Sequence, residues 1–133
     1  MAQEIALIAL VVRDYDEAID FYTGKLNFRL VEDQPLGPNK RWVVVAPPGA
    51  ETCRLLLAKA VGEEQTNRIG NQTGGRVFLF LHTSDFWADY HNLLEKDVQV
   101  VREPVEEAWG TVAVFADLYG NLWDLIGQLP AGH

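Results

Sequence analysis

The chain contains the same order of predicted elements twice, at an offset of 71 residues. An aspartate that opens a helix occurs at Asp14 and again at Asp85. A glycine that closes a turn between two strands occurs at Gly49 and again at Gly120. One strand–helix–strand–strand–strand unit could not bury its sheet alone, so repetition is expected. The pattern indicates a duplicated βαβββ unit, which limits the possible folds more than any single motif does.

The first half begins with a nearly continuous apolar run at residues 5–12, which predicts a strand buried on both faces. Asp14 is followed three residues later by Glu17, a pattern typical of a helix start, and apolar side chains then recur at helical spacing. Three more strands are predicted at residues 28–32, 40–46 and 54–58. A turn between the last two of them is predicted at residues 47–51.

The second half follows a polar, glycine-rich stretch at residues 61–76, which has no sustained period and predicts a connector. Beyond it, a strand, a helix and three strands are predicted at residues 77–82, 85–96, 98–104, 110–116 and 121–126. The predicted fold class is α+β, with two tandem βαβββ modules whose curved mixed sheets form a shared cleft.

The predicted organisation is a single domain, residues 1–128, made of two modules. The first module is predicted at residues 1–65 and the second at residues 75–128. A connector at residues 66–74 joins them, and a C-terminal tail follows at residues 129–133. Whether the connector closes over the cleft stays open at this point.

The composition disfavours two classes of partner. The chain has a net charge of −8 and a pI near 4.7, and this negative field repels phosphate backbones, so no nucleic acid is expected. The first apolar run is too short for a signal peptide or a membrane span, so a cytoplasmic location is expected. Cys53 has no second cysteine to pair with and is expected to be an inert, partly buried thiol.

Two segments resemble one known superfamily. ALVVRDYDEAIDFYTGKLNF, at residues 9–28, is similar to the opening strand–Asp–helix–Phe-Tyr segment of the vicinal oxygen chelate superfamily. DLYGNLWDLI, at residues 117–126, is similar to its closing Asp-x-x-Gly-Asn strand pair. The superfamily includes glyoxalase I, bleomycin-resistance and fosfomycin-resistance proteins and extradiol dioxygenases. The resemblance covers about residues 5–127 and implies the fold, but these activities are too diverse to imply a function.

The resemblance also implies where a metal would bind. In metal-dependent members, four side chains on the opening and last strands of the two halves hold the ion. These positions correspond to Leu7, Phe78, Asp124 and either Cys53 or Leu55. Hydrocarbon side chains offer no lone pair, and a catalytic zinc needs about three protein ligands. A degenerate metal site and no cofactor are therefore predicted, a divalent metal is disfavoured, and the scarcity of histidine disfavours a dioxygenase.

Two residues are predicted to be catalytic, each with an alternative role. Asp124 is expected to face away from the neighbouring Trp123, either as a general base or as a carboxylate paired with Arg54, Arg76 or water. His82 ends a predicted strand and is either an acid–base partner of Asp124 or a histidine bonded to the neighbouring backbone.

Cations and aromatic planes on or near the predicted strands favour ligand binding. The predicted ligand-binding residues are Arg41, Trp42, Arg54, Arg76, Phe78, Phe80 and Trp109. Packing in the core or at a dimer interface is the alternative role for each aromatic residue.

Three functions are compatible with these features. The first is a glyoxalase/bleomycin-resistance-like protein that binds an unidentified small molecule in the cleft between the modules without the superfamily's metal. The second is a glyoxalase-type lyase or isomerase acting on a small oxygenated substrate, with Asp124 as general base. The third is a structural or regulatory partner that has lost the cleft. A homodimer is expected because superfamily members commonly pair.

Overall fold

The computed structural model describes residues 1–128, and the chain divides into two compact units at the boundary between Gln72 and Thr73. The first unit contains β1 (Leu7–Val12), α1 (Tyr15–Gly24), β2 (Arg29–Gly37), β3 (Lys40–Ala46), β4 (Arg54–Lys59) and α2 (Gly62–Thr66). The second unit contains β5 (Val77–Thr83), α3 (Phe86–Glu95), β6 (Val100–Glu107), β7 (Gly110–Ala116) and β8 (Leu122–Gln128). The prediction of an α+β fold with two tandem βαβββ modules is confirmed. The predicted tail at residues 129–133 lies outside the described residues.

The two sheets have the same topology. Their strand orders are β1-β4-β3-β2 and β5-β8-β7-β6. In each sheet the first and last strands of the unit pair in parallel, and the other neighbours pair antiparallel. The sheets are therefore mixed, and the second unit repeats the first strand for strand.

Both long helices begin at the predicted aspartates. The Asp14 carboxylate accepts a hydrogen bond from the Glu17 backbone N–H at 2.9 Å, and Asp85 accepts one from Ala88 at 3.2 Å. A side chain that accepts a backbone N–H at this position satisfies one of the donors left unpaired in the first turn of a helix. Within residues 1–128, no helix combines the length and hydrophobicity needed to cross a membrane.

Two features of the first unit correct the sequence analysis. In β1, Leu10 and Val12 are fully buried, whereas Ala9 is exposed, so the strand is not buried on both faces. Successive side chains of a strand point to opposite faces, and the helix-distal face of β1 is only partly covered. The polar stretch at residues 61–76, in which no regular structure was predicted, contains α2, which hydropathy could not reveal because none of its residues is buried.

The turns before the last strands follow the predicted chemistry. Asp117 accepts hydrogen bonds at 2.9 Å from the backbone N–H groups of Tyr119 and Asn121 and from Asn121 Nδ2. Gly120 has φ 98° and Gly49 has φ 76°, a backbone region that residues with a Cβ rarely adopt. Both glycines are therefore required by backbone geometry.

The two sheets differ in the length of one antiparallel pairing, which is β3–β4 in the first sheet and β7–β8 in the second. The β7–β8 pairing runs without interruption from Gly110↔Gln128 to Ala116↔Leu122. The β3–β4 register contains only Val44↔Leu56 and Val45↔Leu55. Beyond these pairs, β4 continues along β1 as far as Lys59, and β3 continues along β2. The first sheet therefore separates between β3 and β4, and the second does not.

One glycine permits a close approach between β8 and α3. A Cβ added to Gly127 would lie 2.6 Å from the Cβ of Phe86, the first residue of α3. Lys59 is the residue of β4 that would correspond to Gly127 if the β3–β4 register continued. Tyr15, the first residue of α1, corresponds to Phe86. A lysine side chain does not permit the approach that the glycine permits.

We expect Gly127→Ala to lower the free energy of unfolding by about 1–3 kcal/mol, the usual cost of overpacking a filled site. Gly24→Ala is the matched control, because a Cβ there meets nothing within 4 Å and the backbone is helical. The control should leave stability unchanged or raise it by up to about 1 kcal/mol. Urea unfolding of both variants measures the difference, and equal stabilities would contradict the packing account.

Candidate functional site

The predicted catalytic residues lie on the helix-distal face of the second sheet. Asp124 of β8 pairs with Phe80 of β5 on one side and with Val114 of β7 on the other, and Val114 pairs with Arg102 of β6. Paired residues of a sheet point to the same face, so Asp124, Phe80 and Arg102 share this face. Trp123 points to the opposite, helix-side face and is 3% exposed.

The surroundings of Asp124 raise the pKa of its carboxyl group. Partial burial of the carboxyl raises the pKa of Asp124 above its ordinary value of 3.8, and the positive charge of Arg102 opposes this with a smaller effect. The sequence suggested Arg54 or Arg76 as the cation near Asp124, and the structure identifies Arg102 instead. No sequence signal pointed to Arg102, because its position relative to β8 depends on two strand registers.

On β5, His82 lies in the regular part of the strand, whereas Phe78 lies at an irregularity. His82 pairs with Ile126 and is exposed, and no hydrogen bond or ion pair among residues 1–128 joins it to Asp124. A register shift between Val77 and Leu79 places an irregularity at Phe78. Strict alternation from Phe78 to His82, which the sequence analysis assumed, is therefore interrupted in the structure.

The three arginines predicted to bind a ligand lie in three different environments. Arg41 donates to both carboxylate oxygens of Asp33 at 3.1 and 2.7 Å and to Asp16 at 2.9 Å, and these hydrogen bonds raise the pKa of Arg41. Arg54 is half-buried at the start of β4, and its Nε has no hydrogen-bond partner within the described chain. Arg76 is exposed just before β5. Because Arg41 already binds two carboxylates, it is not available for a ligand carboxylate.

The two predicted tryptophans have different settings. Trp42 lies on β3, half-buried, and its Nε1–H donates to the Glu32 carboxylate at 2.7 Å, which holds the indole in one orientation. Trp109 is 50% exposed in the turn between β6 and β7. Phe80, also predicted to bind a ligand, is 62% exposed within β5. Of the aromatic residues predicted to bind a ligand, Phe80 and Trp109 are thus accessible to solvent in the second unit, and Trp42 is a hydrogen-bonded indole in the first.

A cavity of about 360 Å³ opens in the first unit where β3 and β4 separate. Its walls come from residues 40–42 at the start of β3, residues 56–59 at the end of β4, and from Tyr15, Leu36, Asn39, Val61 and Gln65. Of the predicted ligand-binding residues, Arg41 and Trp42 are brought together here. Sequence reasoning missed the cavity because its existence depends on the separation of two strands.

Comparison with known proteins assigns this architecture to a family. The family described as the Glyoxalase/Bleomycin resistance protein/Dioxygenase superfamily matches residues 4–125. The chain belongs to this superfamily. An uncharacterized protein of Shewanella frigidimarina (strain NCIMB 400) is 60% identical over 127 residues, which cover 95% of this chain and 94% of the relative.

Two solved structures are also similar to this chain over nearly its full length. The crystal structure of UcmS2 matches with a TM-score of 0.82 and 32% identity, covering 95% of this chain and 98% of that one. TnmS3, described as an antibiotic binding protein from Streptomyces sp. CB03234, matches with a TM-score of 0.76 and 32% identity, covering 96% and 98% of the two chains.

The strand registers change one of the four positions at which the superfamily resemblance implies metal ligands. Leu56 occupies in the first sheet the register position that Asp124 occupies in the second. Leu55 points to the helix side and is 3% exposed, so it is not the counterpart. Cys53 is not partly buried as expected, because it precedes β4 in the loop, with φ 57°, and is exposed. The loop at residues 47–53 is two residues longer than the loop at residues 117–121, so the offset between counterparts falls from 70 residues at Ala46 and Ala116 to 68 residues at Leu56 and Asp124.

The donor set does not fit a metal of the superfamily type. Leu7, Leu56 and Phe78 carry hydrocarbon side chains, and Asp124 alone offers an oxygen. Within residues 1–128, no group of three or more His, Cys, Asp or Glu side chains is placed to hold a metal ion.

We expect Asp124→Asn to stabilise the protein at neutral pH and to have no effect at low pH. Because the folded-state pKa of Asp124 is raised, its contribution to stability is complete below about pH 3.8 and is lost as the pH rises through the folded pKa. Thermal unfolding between pH 3 and 7 measures the difference. Asp97→Asn, an exposed carboxylate whose φ of 58° asparagine tolerates, is the control for the change of charge. A variant less stable than the wild type at pH 7 would contradict this account of Asp124.

Proposed function

We propose that this protein binds a small molecule without using the metal of the superfamily. The observation that carries the proposal is the set of side chains at the four metal positions, three of which are Leu7, Leu56 and Phe78. These side chains cannot bind a cation, but they can contact the apolar part of a ligand.

The antibiotic-binding neighbour supports the same proposal. TnmS3 is described as binding an antibiotic, and its similarity to this chain extends over nearly the full length of both. Fold alone does not define a ligand, so the argument also depends on the aromatic side chains that this chain exposes. Phe80 lies beside Asp124 on a strand of the second sheet and is 62% exposed, although large apolar side chains are usually buried. An exposed aromatic residue next to one carboxyl group is typical of a site that stacks on a ligand and orients it with a few polar contacts.

A lyase or isomerase with Asp124 as general base is the second candidate. Burial raises the pKa of Asp124 and therefore brings its proton affinity closer to that of a general base at neutral pH. In this candidate Asp124 removes a proton from the substrate, and Arg102 provides positive charge on the same face. The homodimer and the cytoplasmic location stay predictions.

The first test is metal content and metal binding after purification without a metal-affinity resin. We expect less than about 0.1 metal ion per chain and no rise in melting temperature on titration with Zn²⁺, Ni²⁺, Co²⁺ or Mn²⁺, because a ligand that binds only the native state would raise it. Stoichiometric binding that Asp124→Ala abolishes would overturn the proposal.

The second test separates binding from catalysis. Titration with anthracyclines, tetracyclines and quinolones, followed by tryptophan fluorescence, should give saturable quenching by at least one class. Phe80→Ala should weaken that binding about tenfold, which corresponds to losing an aromatic contact of about 1.4 kcal/mol with the ligand. Leu94→Ala, an exposed apolar residue on α3, is the matched control and should have no effect. Recovery of the ligand unchanged favours sequestration, whereas turnover that Asp124→Asn abolishes without loss of binding favours the enzyme.

A further inference from the structure

The cavity of the first unit is produced by a specific arrangement of strands. β4 stays paired with β1 as far as Val12↔Lys59, and β3 stays paired with β2 as far as Lys40↔Gly37. The ends of β3 and β4 are each held by their other neighbour, so the gap between them is supported on both sides. Its volume of about 360 Å³ lies within the range of about 300–1,000 Å³ that is usual for ligand pockets.

Part of the cavity lining is apolar, and one of its side chains is fixed in orientation. Trp42, Leu56, Leu57 and Val61 contribute to this lining, and the Trp42 indole is oriented by the 2.7 Å hydrogen bond to Glu32. An aromatic plane that is already fixed loses little conformational entropy when a ligand stacks on it. Trp42 therefore suits the apolar body of a small molecule.

The polar part of the cavity is basic, although the chain as a whole is acidic. Lys40 and Lys59 line the cavity and are exposed, and neither takes part in an ion pair within residues 1–128. No carboxylate lines the cavity. Of the neighbouring carboxylates, Asp16 and Asp33 bind Arg41 at 2.9 and 2.7 Å, and Glu32 binds Trp42. The two ammonium groups are therefore available to an anion.

We infer that the cavity between β3 and β4 binds a small amphipathic anion, with an aromatic or aliphatic body against Trp42 and a carboxylate or sulfonate group at Lys40 and Lys59. The inference rests on the proposed function in one respect, that the ligand is a small molecule. It deepens that proposal by naming the chemical class of a ligand and a site that is lined by residues of the first unit.

Two fluorescent probes that share one aromatic body test the inference. 1-Anilinonaphthalene-8-sulfonate carries a sulfonate, and N-phenyl-1-naphthylamine is the neutral molecule of the same shape. We expect the folded wild-type protein to bind one sulfonate probe per chain. The double variant Lys40→Gln/Lys59→Gln should weaken the sulfonate probe about tenfold, since each exposed charge contributes modestly, and should leave the neutral probe unchanged.

Two further variants keep the test specific. Arg68→Gln removes a cation of the same unit that does not line the cavity and should leave both affinities unchanged. Ala58→Leu adds bulk to the cavity wall and should weaken both probes. Cooperative thermal unfolding of each variant shows that probe binding is measured on folded protein, because the sulfonate probe also binds partly unfolded chains.

Several results would overturn the inference. The inference is wrong if the wild type binds neither probe, or if Ala58→Leu binds both probes as tightly as the wild type does. It is also wrong if Arg68→Gln weakens binding of the sulfonate probe as much as the double lysine variant does. A double lysine variant that loses affinity for both probes equally would contradict it as well. Its failure is distinct from failure of the proposed function. If anthracyclines, tetracyclines or quinolones quench tryptophan fluorescence and Phe80→Ala weakens them while the probes fail, the proposed function stands and only this site is rejected.

Discussion

Each sheet of this protein depends on the last strand of its unit, which is the only strand that pairs with both the first and the third strands. This strand joins a parallel pair to an antiparallel pair, so its position decides whether the sheet is continuous. β8 is paired on both sides along its length, whereas β4 leaves β3 after two register pairs. The close approach of Gly127 to Phe86 is possible only without a Cβ, and Lys59 stands in the corresponding place. Duplication thus produced two units of one topology with different interiors.

Two of the charged residues predicted to act on a ligand already interact with charged neighbours. Arg41, at the edge of the cavity, is occupied by Asp16 and Asp33. Asp124 is partly desolvated, with Arg102 as the cation that acts on it. An isolated carboxyl group on an apolar face can orient a ligand or accept a proton, but it cannot hold a metal ion without further donors. The same physical facts therefore favour binding over metal chemistry and make Asp124 the residue that distinguishes binding from catalysis.

Much of the fold was predictable because its signals are local. Asp14 and Asp85 begin their helices through hydrogen bonds within three residues, and Gly49 and Gly120 adopt the positive φ that their turns require. The helix α2 was missed because it buries no residue and so leaves no periodic pattern. Cys53 was expected to be partly buried because free cysteine usually behaves as a small hydrophobe, and it is exposed because it lies in the loop before β4.

The sequence by itself determined the duplicated topology, which follows from residue type and spacing along the chain, and residues 9–28 and 117–126 carried the resemblance to the superfamily. It also placed hydrocarbon side chains, those of Leu7 and Phe78, at two of the positions where that resemblance implies metal ligands. Only the tertiary structure decided that Leu56 is the counterpart of Asp124, that Arg102 acts on Asp124, and that β3 and β4 separate around a cavity. The physical reason is that these three features depend on strand register. Register is set by pairing between segments that lie far apart in the chain, so it is not visible in the local sequence.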